Sequence, residues 1–96
     1  MAENFRITSR REGDKLYFEL WGDFDGISAM ELIYTLKDKA SMARKIYVET
    51  DGIRRVLPFG KNVFQTHFNL SPPLTRKVIF IGNNWQRIAP SWRRIH

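Results

Sequence analysis

The side chains that could do chemistry fall into three groups. The first is a pair of carboxylates, Asp23 and Asp25, in the run Gly22-Asp23-Phe24-Asp25-Gly26. Carboxylates this close can bind a cation or divide acid and base roles. No histidine or further carboxylate supports such a site, and aspartates are common in turns and at the positive end of a helix. The pair therefore reads as turn and helix-start chemistry. The second group is two histidines, His67 and His96. His67 lies between Phe64 and Phe68 at helical spacing, which places it at the edge of a core, and His96 ends the chain. A nucleophile, base and orienting group cannot be assembled without these two. Cysteine is absent, which removes thiolates and disulfides. No glycine-rich phosphate or dinucleotide motif occurs. The expectation is a chain that is not an enzyme, with no cofactor and no metal.

The third group suits binding. Phe59 stands in Leu57-Pro58-Phe59-Gly60, flanked by Arg54, Arg55 and Lys61. An aromatic side chain among arginines is the composition of interface hot spots. Proline fits the first turn of a helix, where its missing N–H is not needed. Phe59 has two placements open to it. It packs under the loop, which is the expectation, or it is an exposed anchor for a partner.

Several elements must position these groups. Phe5, Ile7 and Ser9 alternate with Arg6, Thr8 and Arg10, and Leu16, Phe18 and Leu20 alternate with Tyr17, Glu19 and Trp21. With a turn at Glu12-Gly13-Asp14, these runs predict an antiparallel hairpin. Ser28 to Ala40 predicts a helix, with Ala29, Leu32, Ile33, Leu36 and Ala40 on one stripe and Glu31 at capping-box spacing from Ser28. Ile46-Tyr47-Val48 predicts a buried strand ended by turn chemistry at Thr50-Asp51-Gly52. Val63, Phe64 and Phe68 predict a second helix after the Leu57–Gly60 loop. The segment 69–74 holds Pro72 and Pro73 and reads as irregular. Lys77-Val78-Ile79-Phe80-Ile81 reads as a parallel strand, and Trp85 to Ala89 as a short last helix. One domain spans residues 1–96.

This order predicts that both crossover helices lie on one face of the sheet. Arg6, Thr8, Arg10, Tyr17, Glu19, Trp21, Tyr47 and Glu49 then point the other way. Either the segment Trp85 to Ile95 covers those aromatics or a partner does.

Charge is unevenly distributed. All ten acidic residues lie between Glu3 and Asp51, and eight basic residues follow Asp51 with no acid among them. The balance is 8 − 10 = −2 before Gly52 and +8 from there on, which sums to the +6 of the whole chain. Such asymmetry bears on partners rather than on fold. No apolar run approaches a membrane span, and the polar start Met1-Ala2-Glu3-Asn4 holds no signal region. The expected location is the cytoplasm.

The run "GDFDGISAMEL" and the strand, loop and helix from Ile46 to Phe64 resemble the STAS domain of anti-sigma-factor antagonists. The resemblance covers about residues 5–90. In that family an Asp-Ser-Ser-Gly loop opens the second helix, and its second serine is phosphorylated. Leu57-Pro58-Phe59-Gly60 occupies that loop here; the glycine matches, while the aspartate and both serines do not. The resemblance implies an α/β, STAS-like ββαβαβ(α) fold with a four-stranded mixed sheet and helices mainly on one face. It implies a bacterial-type regulator in signalling, without the serine switch, acting through a protein partner of the anti-sigma-factor or kinase-like kind. The partner-binding residues would be Phe59, Arg54, Arg55, Pro58, Lys61 and Asp25. The alternative is a nucleic-acid-binding module that uses the basic second half and stacks bases on Tyr17, Trp21 and Tyr47. A small-ligand or lipid pocket between sheet and helices is a third reading.

Overall fold

A computed structural model describes residues 4–90. A hairpin comes first: β1 (Arg6–Glu12) runs antiparallel to β2 (Lys15–Phe24), in a register that sets Glu12 opposite Lys15 and Arg6 opposite Trp21. Helix α1 (Gly26–Lys39) and a 3-10 turn (Ala40–Met42) lead into β3 (Lys45–Val56). Then come α2 (Pro58–Asn69), α3 (Pro72–Lys77), β4 (Val78–Ile81) and α4 (Trp85–Ile88). The four strands lie in the order β1-β2-β3-β4, with β3 parallel to both β2 and β4.

One core joins the sheet to the helices. Leu16, Phe18, Leu20 and Phe24 of β2 face it, with Ile46 and Val48 of β3 and Val78 and Phe80 of β4. Leu32, Ile33 and Leu36 of α1 and Phe64 and Phe68 of α2 meet them and are fully buried. Phe64 lies at the centre. Its ring centroid is 6.0 Å from Phe24, 5.4 Å from Phe68 and 5.8 Å from Phe80. Edge-on and offset pairs at such distances add to what area burial alone contributes.

Four sequence expectations need correction. β3 does not end at Thr50-Asp51-Gly52 but continues to Val56. Thr50 is fully buried, and its hydroxyl donates to the Ile81 carbonyl at 2.8 Å and accepts from the Asn84 N–H at 3.1 Å. Its neighbour Asp51 accepts from the Asn83 N–H at 2.6 Å. Turn-type side chains here serve a turn elsewhere, the one that closes β4, so they do not break their own strand.

The segment after α2 is also more regular than expected. Pro72 and Pro73 open α3 rather than prevent it, because the first helical positions have no intrahelical use for an N–H. Strand β4 accordingly begins at Val78, one residue later than expected. The third correction concerns the cap of α1, which is Asp25 and not Ser28: its carboxylate accepts from the Ser28 N–H at 2.8 Å and from the Ser28 hydroxyl at 2.9 Å. Helix α1 thus starts at Gly26.

The fourth concerns α4, one of the two alternatives for covering the aromatic face. Ile88 is fully buried, and the carbonyls of Ile88 and Ala89 accept from the Gln65 side chain of α2 at 3.2 and 3.1 Å. This segment packs on the helical side of the sheet, and among the described residues none of it covers the other face. Residues 91–95, the remainder of that alternative cover, lie outside the described residues.

Candidate functional site

The site is built where β2 and β3 end and two helices begin. Backbone contacts hold the junction. The Leu57 N–H donates to the Phe24 carbonyl at 3.0 Å, which ties the end of β3 to the end of β2. Gly60, in the first turn of α2, is buried against the α1 start. A Cβ there would stand 2.7 Å from the Phe24 carbonyl oxygen and 2.7 Å from the Asp25 carbonyl carbon. Only glycine lets the backbones approach so closely.

That contact decides the direction of Phe59. Gly60, Phe64 and Phe68 are spaced by four and form the inward line of α2. Phe59 is one position out of phase with that line. It is not packed beneath the loop but 70% exposed. Its ring lies over Gly26, where a Cβ would meet two ring carbons at 2.9 Å. Pro58 beside it is exposed as well.

The charged residues of the site divide by partner. Arg54 grips Asp23 with two hydrogen bonds of 3.1 Å each, from Nε and from Nη2. This hydrogen bonding, helped by the charges of Arg54 and Arg55, holds the Asp23 carboxyl below the usual carboxylate range. The Asp25 carboxyl is also held low, first by the Ser28 backbone N–H. Asp23 and Asp25 thus turn to different partners. Among the described residues no cluster of metal-ligating side chains occurs. Arg55 is exposed and Lys61 partly so, and neither forms an ion pair among the described residues.

Two further exposed apolar residues lie on α1, the helix whose first residue the Phe59 ring covers. Ile27 is 59% exposed and Tyr34 is 65% exposed. They lie seven residues apart, and so on one face of α1, opposite its buried stripe. Sequence reasoning missed them, although their spacing outside the Ala29, Leu32, Ile33 and Leu36 stripe was legible.

The opposite face of the sheet carries the other proposed aromatics, and each is engaged with a neighbour there. Tyr17 stacks on Tyr47 with centroids 4.8 Å apart and planes 12° apart. The Arg10 guanidinium carbon sits over the Tyr17 ring at 4.1 Å. Arg10 also bonds Glu12, and reaches Glu49 at 3.1 Å. Trp21, 40% exposed, donates to the Thr8 hydroxyl at 3.3 Å, and Thr8 in turn donates to Glu19 at 3.2 Å.

No family model matches the chain, and no curated protein matches it. Solved structures do resemble it. The STAS domain of an antisigma-factor antagonist from Rhodobacter sphaeroides matches with a TM-score of 0.62 at 8% identity, over 93% of this chain and 96% of that one. The chain has a STAS-like fold. The anti-sigma factor antagonist SpoIIAA in its unphosphorylated form matches with a TM-score of 0.56 at 10% identity, over 79% of this chain and 70% of that one. Mglu matches with a TM-score of 0.61 at 18% identity, over 93% of this chain, which spans 20% of the Mglu chain. The STAS-like unit therefore also occurs as a minor part of a longer chain. Among the described residues no helix is long and apolar enough to cross a membrane.

Proposed function

We propose that this STAS-like chain is a non-catalytic regulatory module that binds a protein partner through its Phe59 end. The observation that carries the reading is the 70% exposure of a phenylalanine in the first turn of α2. Its backbone is held by the Gly60 contact, so presenting the ring requires little ordering when a partner arrives. Arg55 and Lys61, which form no ion pair among the described residues, supply positive charge nearby, while the grip on Asp23 fixes Arg54. The surface suits a partner with an apolar pocket and acidic groups around it. By fold analogy the partner is an anti-sigma-factor or kinase-like signalling protein.

Phosphate at the α2 loop does not control this module, because Leu57-Pro58-Phe59-Gly60 carries no hydroxyl. Thr50 is no substitute, since its hydroxyl is fully buried and hydrogen-bonded.

The nucleic-acid reading is the weaker one. Tyr17 is already stacked on Tyr47 and covered by Arg10, and Glu19 and Glu49 share that face. The basic second half is also dispersed. Arg54, Arg55 and Lys61 stand at one end of the sheet, and Arg76 and Lys77 in α3.

The test is affinity capture from RNase-treated lysate of the source cells, with wild-type, Phe59→Ala and Tyr17→Ala baits. The expected result is a protein held by wild type and Tyr17→Ala but lost by Phe59→Ala. Equal capture by Phe59→Ala overturns the reading.

A further inference from the structure

The end of the domain opposite Phe59 holds a cavity of about 410 Å³ between the carboxyl end of α1 and helix α3. That size lies within the usual range for small-ligand sites. Its floor is apolar, made by Pro73 and Leu74 with Ala40. Its polar groups are Lys37, Lys77, Ser41 and Ser71, and no acidic residue lines it.

The state of those polar groups narrows the ligand. The Lys77 ammonium donates to the Ala40 carbonyl, so part of its charge already serves the end of α1. Lys37 is exposed and forms no ion pair among the described residues. Ser71 stands at the cap position of α3 without a side-chain cap bond, and the Ser41 hydroxyl has no partner among the described residues. The carboxyl end of α1 carries roughly half a negative charge, which Lys77 offsets. Among the described residues that line the cavity, Lys37 is then the cation without an ion-pair partner, beside hydroxyls free to donate. A dianion would exceed this supply of positive charge, and a purely polar ligand would leave the floor unfilled.

We propose that this cavity binds a monocarboxylate with a short apolar tail. The head would take Lys37 with Ser41 or Ser71, and the tail would lie on Pro73 and Leu74. Binding would link α1 to α3, next to the Lys77 bond that ties α3 to Ala40 of the 3-10 turn. This inference is independent of the Phe59 site.

The experiment is an amide chemical-shift titration of the whole chain with sodium octanoate, sodium acetate and 1-octanol. Octanoate should give saturable shifts confined to the residues around Lys37, Ser41, Ser71 and Leu74, with Kd below about 1 mM. Acetate lacks the tail and octanol lacks the charge, and each should bind at least about tenfold more weakly. Lys37→Gln changes an exposed side chain and should keep the dispersed spectrum while losing about tenfold in octanoate affinity. Absence of saturable shifts, octanol binding as well as octanoate, or full affinity in Lys37→Gln would each overturn the proposal.

Discussion

Gly60 and Asp25 are in backbone contact, such that a Cβ on Gly60 would stand 2.7 Å from the Asp25 carbonyl carbon. Helices α1 and α2 therefore begin against each other, with no side chain between Gly60 and the Asp25 backbone. Gly60→Ala should force them apart and cost about 1–3 kcal/mol, as overpacking of a filled site does. Urea unfolding reads this directly. A midpoint equal to wild type would mean that the helix starts do not meet as described.

Leu36 is fully buried on the inward stripe of α1. Leu36→Ala removes its packing and leaves a cavity, at a cost of about 2–5 kcal/mol. For a domain of this size that is a large share of total stability. An unchanged denaturant midpoint would show that the inward face of α1 is misassigned.

Asp23 provides a test with a defined sign. Its carboxyl in the folded chain lies below the ordinary value of 3.8 because Arg54 bonds and attracts the ionised form. The contribution is present above that value and is lost as pH falls through the depressed folded-state value. The stability difference between wild type and Asp23→Asn should therefore shrink on acidification below pH 3.8. Arg54→Gln should shrink the same difference at neutral pH. A difference independent of pH would rule out the pair as the source.

Phe59→Ala should leave stability within about 0.5 kcal/mol of wild type, because the side chain is already 70% exposed. The same variant should lose the captured partner. Calorimetry on the bait used for capture separates the two effects, and a loss of several kcal/mol would mean that the ring supports the fold.

The open sheet face makes a negative prediction. Single-stranded RNA and DNA should bind weakly at physiological salt, since the stacked Tyr17 and Tyr47 share their face with Glu19 and Glu49. Fluorescence anisotropy at several salt concentrations measures this. Sub-micromolar binding that disappears in Tyr17→Ala or Trp21→Ala would promote the nucleic-acid reading over the protein-partner one.

Much of the architecture was legible because it is periodic. The alternation in β2 and the stripe of Leu32, Ile33 and Leu36 each follow one local repeat, and the structure buries Leu16, Phe18, Leu20 and that stripe, while of the β1 alternation Phe5 and Ile7 are partly buried and Ser9 is exposed. Asp25 was less legible. Its position before Gly26 suited a helix start, but the capping-box spacing of Ser28 and Glu31 competed, and only the hydrogen bond from Ser28 resolves the choice.

The sequence by itself determined the hairpin, the core faces of α1 and α2, the absence of a hydroxyl at Leu57–Gly60 and the separation of charge along the chain. These are properties of spacing and residue type. The tertiary structure alone decided what happens where distant segments meet. Thr50 and Asp51 look like a turn until the Ile81–Asn84 turn arrives to use them. Arg54 is one more basic residue until the end of β2 brings Asp23 beside it. Phe59 reads as buried until Gly60, closing on Asp25, takes the inward position and leaves the ring outside. In each case the deciding contact spans about thirty residues or more, beyond the reach of any local repeat.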